Sequence, residues 1–169
     1  MQDMEYPTPI IQTKMYRPPI LVDFIPRPQL LEQLEGWQQR PLTLVSAPAG
    51  YGKTTLVSSW LESLDDPAVW LSLDEQDNDL EVFLTYFLAC VQTSFPDAVD
   101  ETAALIGGAE LPPLSVLFTS LANELDNLPQ RLVLVIDDYH VISESKIAEL
   151  LSQLLHHPPR PLHLSLIHI

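Results

Sequence analysis

The sequence predicts an α/β layer fold: a three-layer sandwich around a mostly parallel sheet, incomplete at its C-terminal end. Three observations carry that reading. Short aliphatic runs alternate with stretches whose apolar residues recur at helical spacing. The run Leu42 to Ser46 breaks into a loop of small residues and resumes as a helical pattern from Lys53. A continuous run, Leu132 to Ile136, has the composition of a strand buried on both faces and ends on Asp137.

Proline is frequent over residues 1–28, which therefore read as an extended arm. A short helix follows, with Leu30, Leu31, Leu34 and Trp37 on one face. Leu42–Ser46 is the first strand. The helix after the loop buries Leu56, Val57, Trp60, Leu61 and Leu64. Val69–Leu73 is a second strand, stopped by the carboxylate-rich Asp74–Asp79. That loop lacks the glycine at position six and the glutamate at position twelve of a calcium loop, so it reads as a solvated acidic turn. Helices are expected at about 79–93, 114–125 and 145–156, with one helical turn around Ala103 between the first two. A fourth strand begins at Leu162.

The stretch Ala47-Pro48-Ala49-Gly50-Tyr51-Gly52-Lys53-Thr54-Thr55 has the strand–loop–helix setting and spacing of a phosphate-binding P-loop, with Ala47 in the first slot. Backbone N–H groups wrap an anion only where few side chains crowd the loop, which is the use of Gly50 and Gly52. The helix N-terminus adds its partial positive charge. Lys53 is expected on the β- and γ-phosphates, and the Thr54 hydroxyl on Mg²⁺. Tyr51 either faces outward or flanks the nucleotide. Asp137, at the tip of an aliphatic strand, is expected to hold Mg²⁺ opposite Thr54, with Asp138 orienting or deprotonating the attacking water. The expected ligand is ATP or ADP with Mg²⁺; Lys53 and Asp138 are the candidate catalytic residues. Arg27 is either solvated surface or a contact to the nucleotide. His140 either senses the γ-phosphate or caps the strand exit, and the second reading is preferred. His156, His157 and His163 do not have the spacing of a metal set.

Eight basic residues stand against 23 acidic ones, a net charge of -15. Such a chain repels a phosphate backbone, which argues against nucleic-acid binding by this segment. The loop is a local exception, because no acid occurs from Leu42 to Leu61. Cys90 lies in an apolar helical pattern and reads as a buried thiol. No stretch approaches the ~18 apolar residues of a membrane span, and the N-terminus has no apolar segment of signal type. The expected setting is cytoplasmic, without a membrane partner.

Ser46 to Thr55, Trp70-Leu71-Ser72-Leu73-Asp74 with Asp77-Asn78, and Val135-Ile136-Asp137-Asp138-Tyr139-His140 together resemble the N-terminal ATPase domain of MalT-like regulators. These are LuxR-type transcriptional activators of the STAND class, with an AAA-like ATPase domain. Thr13-Lys14-Met15 and Val22 to Arg27 are similar to that family's N-terminal arm, and the likeness covers roughly residues 10–164. The resemblance implies an ATP switch, closed with ADP, that forms homo-oligomers with inducer and ATP. DNA would be contacted only through a C-terminal helix-turn-helix lying outside this chain. It divides the chain into an arm (1–28), a partial P-loop NTPase domain (29–164) and a tail (165–169). Leu164-Ser165-Leu166-Ile167-His168-Ile169 is what a transposon-end sequencing adapter encodes in frame, so authentic sequence is expected to end near Pro161 to Leu164; the alternative is a genuine short protein ending in a β-strand. Two alternatives are a nucleotide-gated interaction module without meaningful hydrolysis and a P-loop small-molecule kinase. The kinase needs lid arginines, and only Arg131 lies between the loop and Asp137.

Overall fold

The computed structural model describes residues 9–20 and 23–169. The expected arm therefore has its first eight residues, and Leu21 and Val22, outside the described residues. Ten regular elements follow in chain order: α1 (Pro28–Leu34), β1 (Leu42–Ser46), α2 (Lys53–Glu62), β2 (Ala68–Ser72), α3 (Leu80–Ser94), α4 (Asp100–Ile106), α5 (Leu114–Asp126), β3 (Leu132–Asp137), α6 (Ser145–His156) and β4 (Leu162–His168).

The four strands form one parallel sheet in the order β1-β4-β3-β2. Side chains alternate across each strand, so β3 sends Leu132, Leu134 and Ile136 into one core and Val133 and Val135 into another. The larger core lies under α3, α4, α5 and α6. The smaller joins Leu34 of α1 and Trp37 to Leu56, Val57, Trp60 and Leu61 of α2. Helices thus cover both faces, the arrangement an all-parallel sheet requires. The alternation also fixes where Asp137 points: two residues beyond Val135, it shares the face that α2 covers.

β4 lies between β1 and β3, pairing Leu164 with both Leu42 and Leu134. Leu162, Leu164 and Leu166 enter the larger core, and Ile167 the smaller. His163 and Ser165 are buried as well. His163 donates from Nδ1 to the Arg40 carbonyl at 2.6 Å and accepts at Nε2 from the Thr43 hydroxyl at 3.0 Å, under the edges of Trp37 and Trp60. Among the described residues, the Ser165 hydroxyl has no hydrogen-bond partner.

Two sequence expectations change. The single turn around Ala103 is a two-turn helix, α4, tied to α5 where Glu124 accepts from the backbone N–H groups of Glu101 and Thr102 and from the Thr102 hydroxyl. The acidic turn after β2 is not wholly solvated. Asp77 is 0% exposed; it accepts from Asp74 N at 2.7 Å and from Lys14 Nζ at 2.7 Å, and Lys14 also reaches Asp74. Lys14 lies 4.5 Å from the centre of the Tyr86 ring, whose hydroxyl accepts from Ile11 N. These contacts clamp the arm against β2, the edge strand.

Candidate functional site

The loop 47–52 leaves β1 and enters α2 through two left-handed glycines, Gly50 (φ 81°) and Gly52 (φ 73°). Side-chain-bearing residues take that conformation at a steric cost, so glycine is the residue the turn calls for. Gly52 is the N-cap, and Leu56 N donates to its carbonyl at 2.9 Å. The amides of the first α2 turn, Lys53 to Thr55, therefore point toward the loop mouth. Ala47, Pro48, Ala49 and Tyr51 form the remainder of the loop, and Tyr51 is 59% exposed.

Lys53 folds back over the loop. Its Nζ donates to the carbonyls of Ala47 at 2.7 Å and Pro48 at 3.1 Å. The ammonium is thus held at the loop mouth by two weak acceptors that an anion can replace.

Thr54, one residue on, faces the sheet. Its hydroxyl donates to Asp137 Oδ2 at 3.1 Å, across 83 residues of sequence. Asp137 is 5% exposed, and its Oδ1 accepts from Asp138 N at 2.9 Å. Burial pushes the Asp137 carboxyl above its usual range, and the Asp138 charge pushes it further; the Thr54 and Asp138 hydrogen bonds and the Lys53 charge oppose this. A buried acid beside a hydroxyl and an ammonium is a donor set suited to a hard divalent cation and the phosphates it accompanies. The loop, with no atoms near the positions where Gly50 would carry a Cβ, leaves room for them.

Asp138 takes the left-handed conformation itself (φ 59°), the one residue other than glycine to do so among the described residues. Its carboxylate is half exposed, 3.9 Å from His140 Nδ1. His140 lies in the short turn leaving β3. Asn78 holds that turn in place: its Oδ1 accepts from Ser143 N at 2.6 Å and Glu144 N at 3.1 Å, and its Nδ2 donates to Val141 O at 2.7 Å. Nothing in the local sequence signals that role, because both ends of the staple are polar loops far apart in the chain. Arg27 comes close to the loop. A Cβ on Gly52 would lie 3.8 Å from Arg27 Nη2, and Arg27, Tyr51 and Lys53 border one cavity of about 250 Å³. His156 bonds its own helix at Ser152 O, and His163 sits at the other end of the sheet. Cys90 is buried, its thiol pushed up to about 12 by desolvation.

Comparison with known families adds a decisive match, to the AAA ATPase domain over residues 27–167. The chain belongs to that family. This AAA ATPase domain is also 39% identical over 158 residues to the HTH-type transcriptional regulator MalT of Yersinia enterocolitica, and to that of Yersinia pestis. The alignment covers 94% of this chain and 17% of each relative, so the chain spans about a sixth of their length. Among the described residues, no helix of the AAA domain is long and apolar enough to cross a membrane.

Proposed function

We propose that this chain is the ATP-binding switch module of a MalT-like transcriptional regulator, taking up ATP with Mg²⁺. The Thr54 hydroxyl within hydrogen-bond reach of the Asp137 carboxylate, beside an ammonium on a glycine loop, is the observation that carries the reading. Mg²⁺ held by Thr54 and Asp137 would neutralise phosphate charge. Lys53 exchanges its carbonyl partners for phosphate oxygens. The amides of Ala49 to Thr55 hold the same anion, and Arg27 borders it from the arm. Slow hydrolysis, homo-oligomerisation and coupling to a separate DNA-binding domain belong to the same proposal, and cytoplasmic residence follows from it.

A charge-assisted hydrogen bond is worth roughly 1.5–3 kcal/mol. Lys53→Ala is therefore expected to weaken ATP-Mg²⁺ binding at least tenfold in titration calorimetry. Unchanged affinity would remove the site. A second reading, a nucleotide-gated interaction module without meaningful turnover, is favoured by the half-exposed Asp138 carboxylate, whose one basic contact within 4 Å among the described residues is the His140 ring, at 3.9 Å. Single-turnover hydrolysis separates the two: Asp138→Asn slows a true ATPase and leaves incidental turnover unaltered. The kinase alternative loses its cation, because Arg131 precedes β3 at the end opposite Asp137.

A further inference from the structure

Three of the four strands are introduced by an arginine. Arg40-Pro41 precedes β1, Arg131 precedes β3, and Arg160-Pro161 precedes β4. The strand order makes β1, β4 and β3 consecutive neighbours, so the three converge at the N-terminal edge of the sheet, away from the glycine loop. There they line a cavity of about 210 Å³ with Trp37, Gln38 and His163. In a chain with eight basic residues and a net charge of -15, three on one cavity mark a local reversal of sign.

Structural duties do not absorb the cluster. Arg160 grips Asp126 through Nε and Nη2 at 3.2 and 3.0 Å. Among the described residues, the side chains of Arg40 and Arg131 have no hydrogen-bond or ion-pair partner. Arg131 is 6.0 Å from the Trp37 ring centre. Basic residues often compensate the carbonyl ends of helices, which gather at this end of an α/β layer. Neither Arg40 nor Arg131 donates to such a carbonyl. Asp65 and Asp66, which precede β2, make no ion pair with either. Prolines on both sides of the cavity, Pro41 and Pro161, stiffen its rim, so two guanidinium forks are presented on a preorganised frame.

We propose that this arginine-lined cavity is a second anion site, distinct from the glycine loop, that takes a small multivalent oxyanion, either a phosphate or a polycarboxylate. Planar guanidinium groups match both through paired hydrogen bonds, and Trp37 supplies an apolar wall.

The test uses the Lys53→Ala chain, in which the glycine loop competes for anions at least tenfold more weakly. Inorganic phosphate and citrate are titrated separately by calorimetry at constant ionic strength. Saturable one-to-one binding of either is expected, weakened about tenfold or more by Arg40→Ala with Arg131→Ala. Binding of phosphate alone assigns the phosphate source, and of citrate alone the carboxylate source. A second measurement needs no variant at these positions: phenylglyoxal labelling, read by mass spectrometry, is expected to be slowed by the bound anion at Arg40 and Arg131 and not at Arg17. Failure of both anions to saturate, or equal binding and labelling with and without the two arginines engaged, overturns the proposal. Neither result bears on Lys53, so the reading of the glycine loop stands or falls separately.

Discussion

At the scale of single residues, Asp137 has the clearest stability consequence. Desolvation and the Asp138 charge hold its carboxyl above the unfolded value. The folded state therefore keeps this proton to higher pH than the unfolded chain does. The stability tied to it is fully present below the unfolded pKa and is lost as pH rises through the folded pKa. Once ionised, this carboxyl is a charge the fold holds less well than the unfolded chain does. Asp137→Asn removes that charge and keeps both contacts, since the amide accepts from Asp138 N and donates to the Thr54 hydroxyl. In metal-free buffer the variant is expected to melt a few degrees above wild type at pH 7, the difference closing toward the unfolded carboxylate pKa of about 3.9. Adding Mg²⁺ with ATP is expected to reverse the order, because the charged carboxylate holds the cation better than a neutral amide oxygen does. A variant that melts lower at pH 7 without metal would show that the acid is not destabilising.

At the scale of elements, the arm and the edge strand form one unit. Asp77 is buried in the loop after β2, and Lys14 is its charged partner. Removing one partner of a buried pair typically costs about 3–5 kcal/mol, because the other charge is left uncompensated. Lys14→Met is expected to cost that order in urea unfolding, and Lys14→Met with Asp77→Asn to recover most of it. A single-variant cost under about 1 kcal/mol would mean that the arm is not clamped. This clamp also marks where the sequence stops being legible. The glycine loop and Asp137 were readable because their chemistry demands contiguous small residues and an acid at a strand tip. The burial of Asp77 was not, because its partner lies 63 residues upstream and carboxylate-rich loops usually face water. The order of parallel strands was equally hidden. Local periodicity shows that Leu162 onward forms a strand, but its place between β1 and β3 is set by long-range packing. His163 and Ser165 look wrong for a doubly buried strand until that face is seen: His163 has found Arg40 and Thr43, and the Ser165 hydroxyl has no partner among the described residues.

At the scale of the whole molecule, many of the acids crowd at one end of the strands. Arg40, Arg131 and Arg160 gather where β1, β3 and β4 begin, while Asp74, Glu75, Asp77, Asp79, Asp137 and Asp138 follow β2 and β3 at the other end. Lys53 and Arg27 are the basic residues that border the loop there. Acids crowded at one end repel one another, and a net charge of -15 adds repulsion over the whole surface. Salt shortens the reach of these forces from about 30 Å at 0.01 M to about 8 Å at 0.15 M, so it screens the dispersed repulsion. The close Lys14–Asp77 pair is largely shielded from solvent ions by burial and loses less. Raising sodium chloride over that range is therefore expected to raise the melting temperature of the nucleotide-free chain, by a similar amount in wild type and Lys53→Ala. A melting temperature that falls with salt would mean that attractive surface pairs, not repulsion among the acids, dominate the electrostatics of this fold.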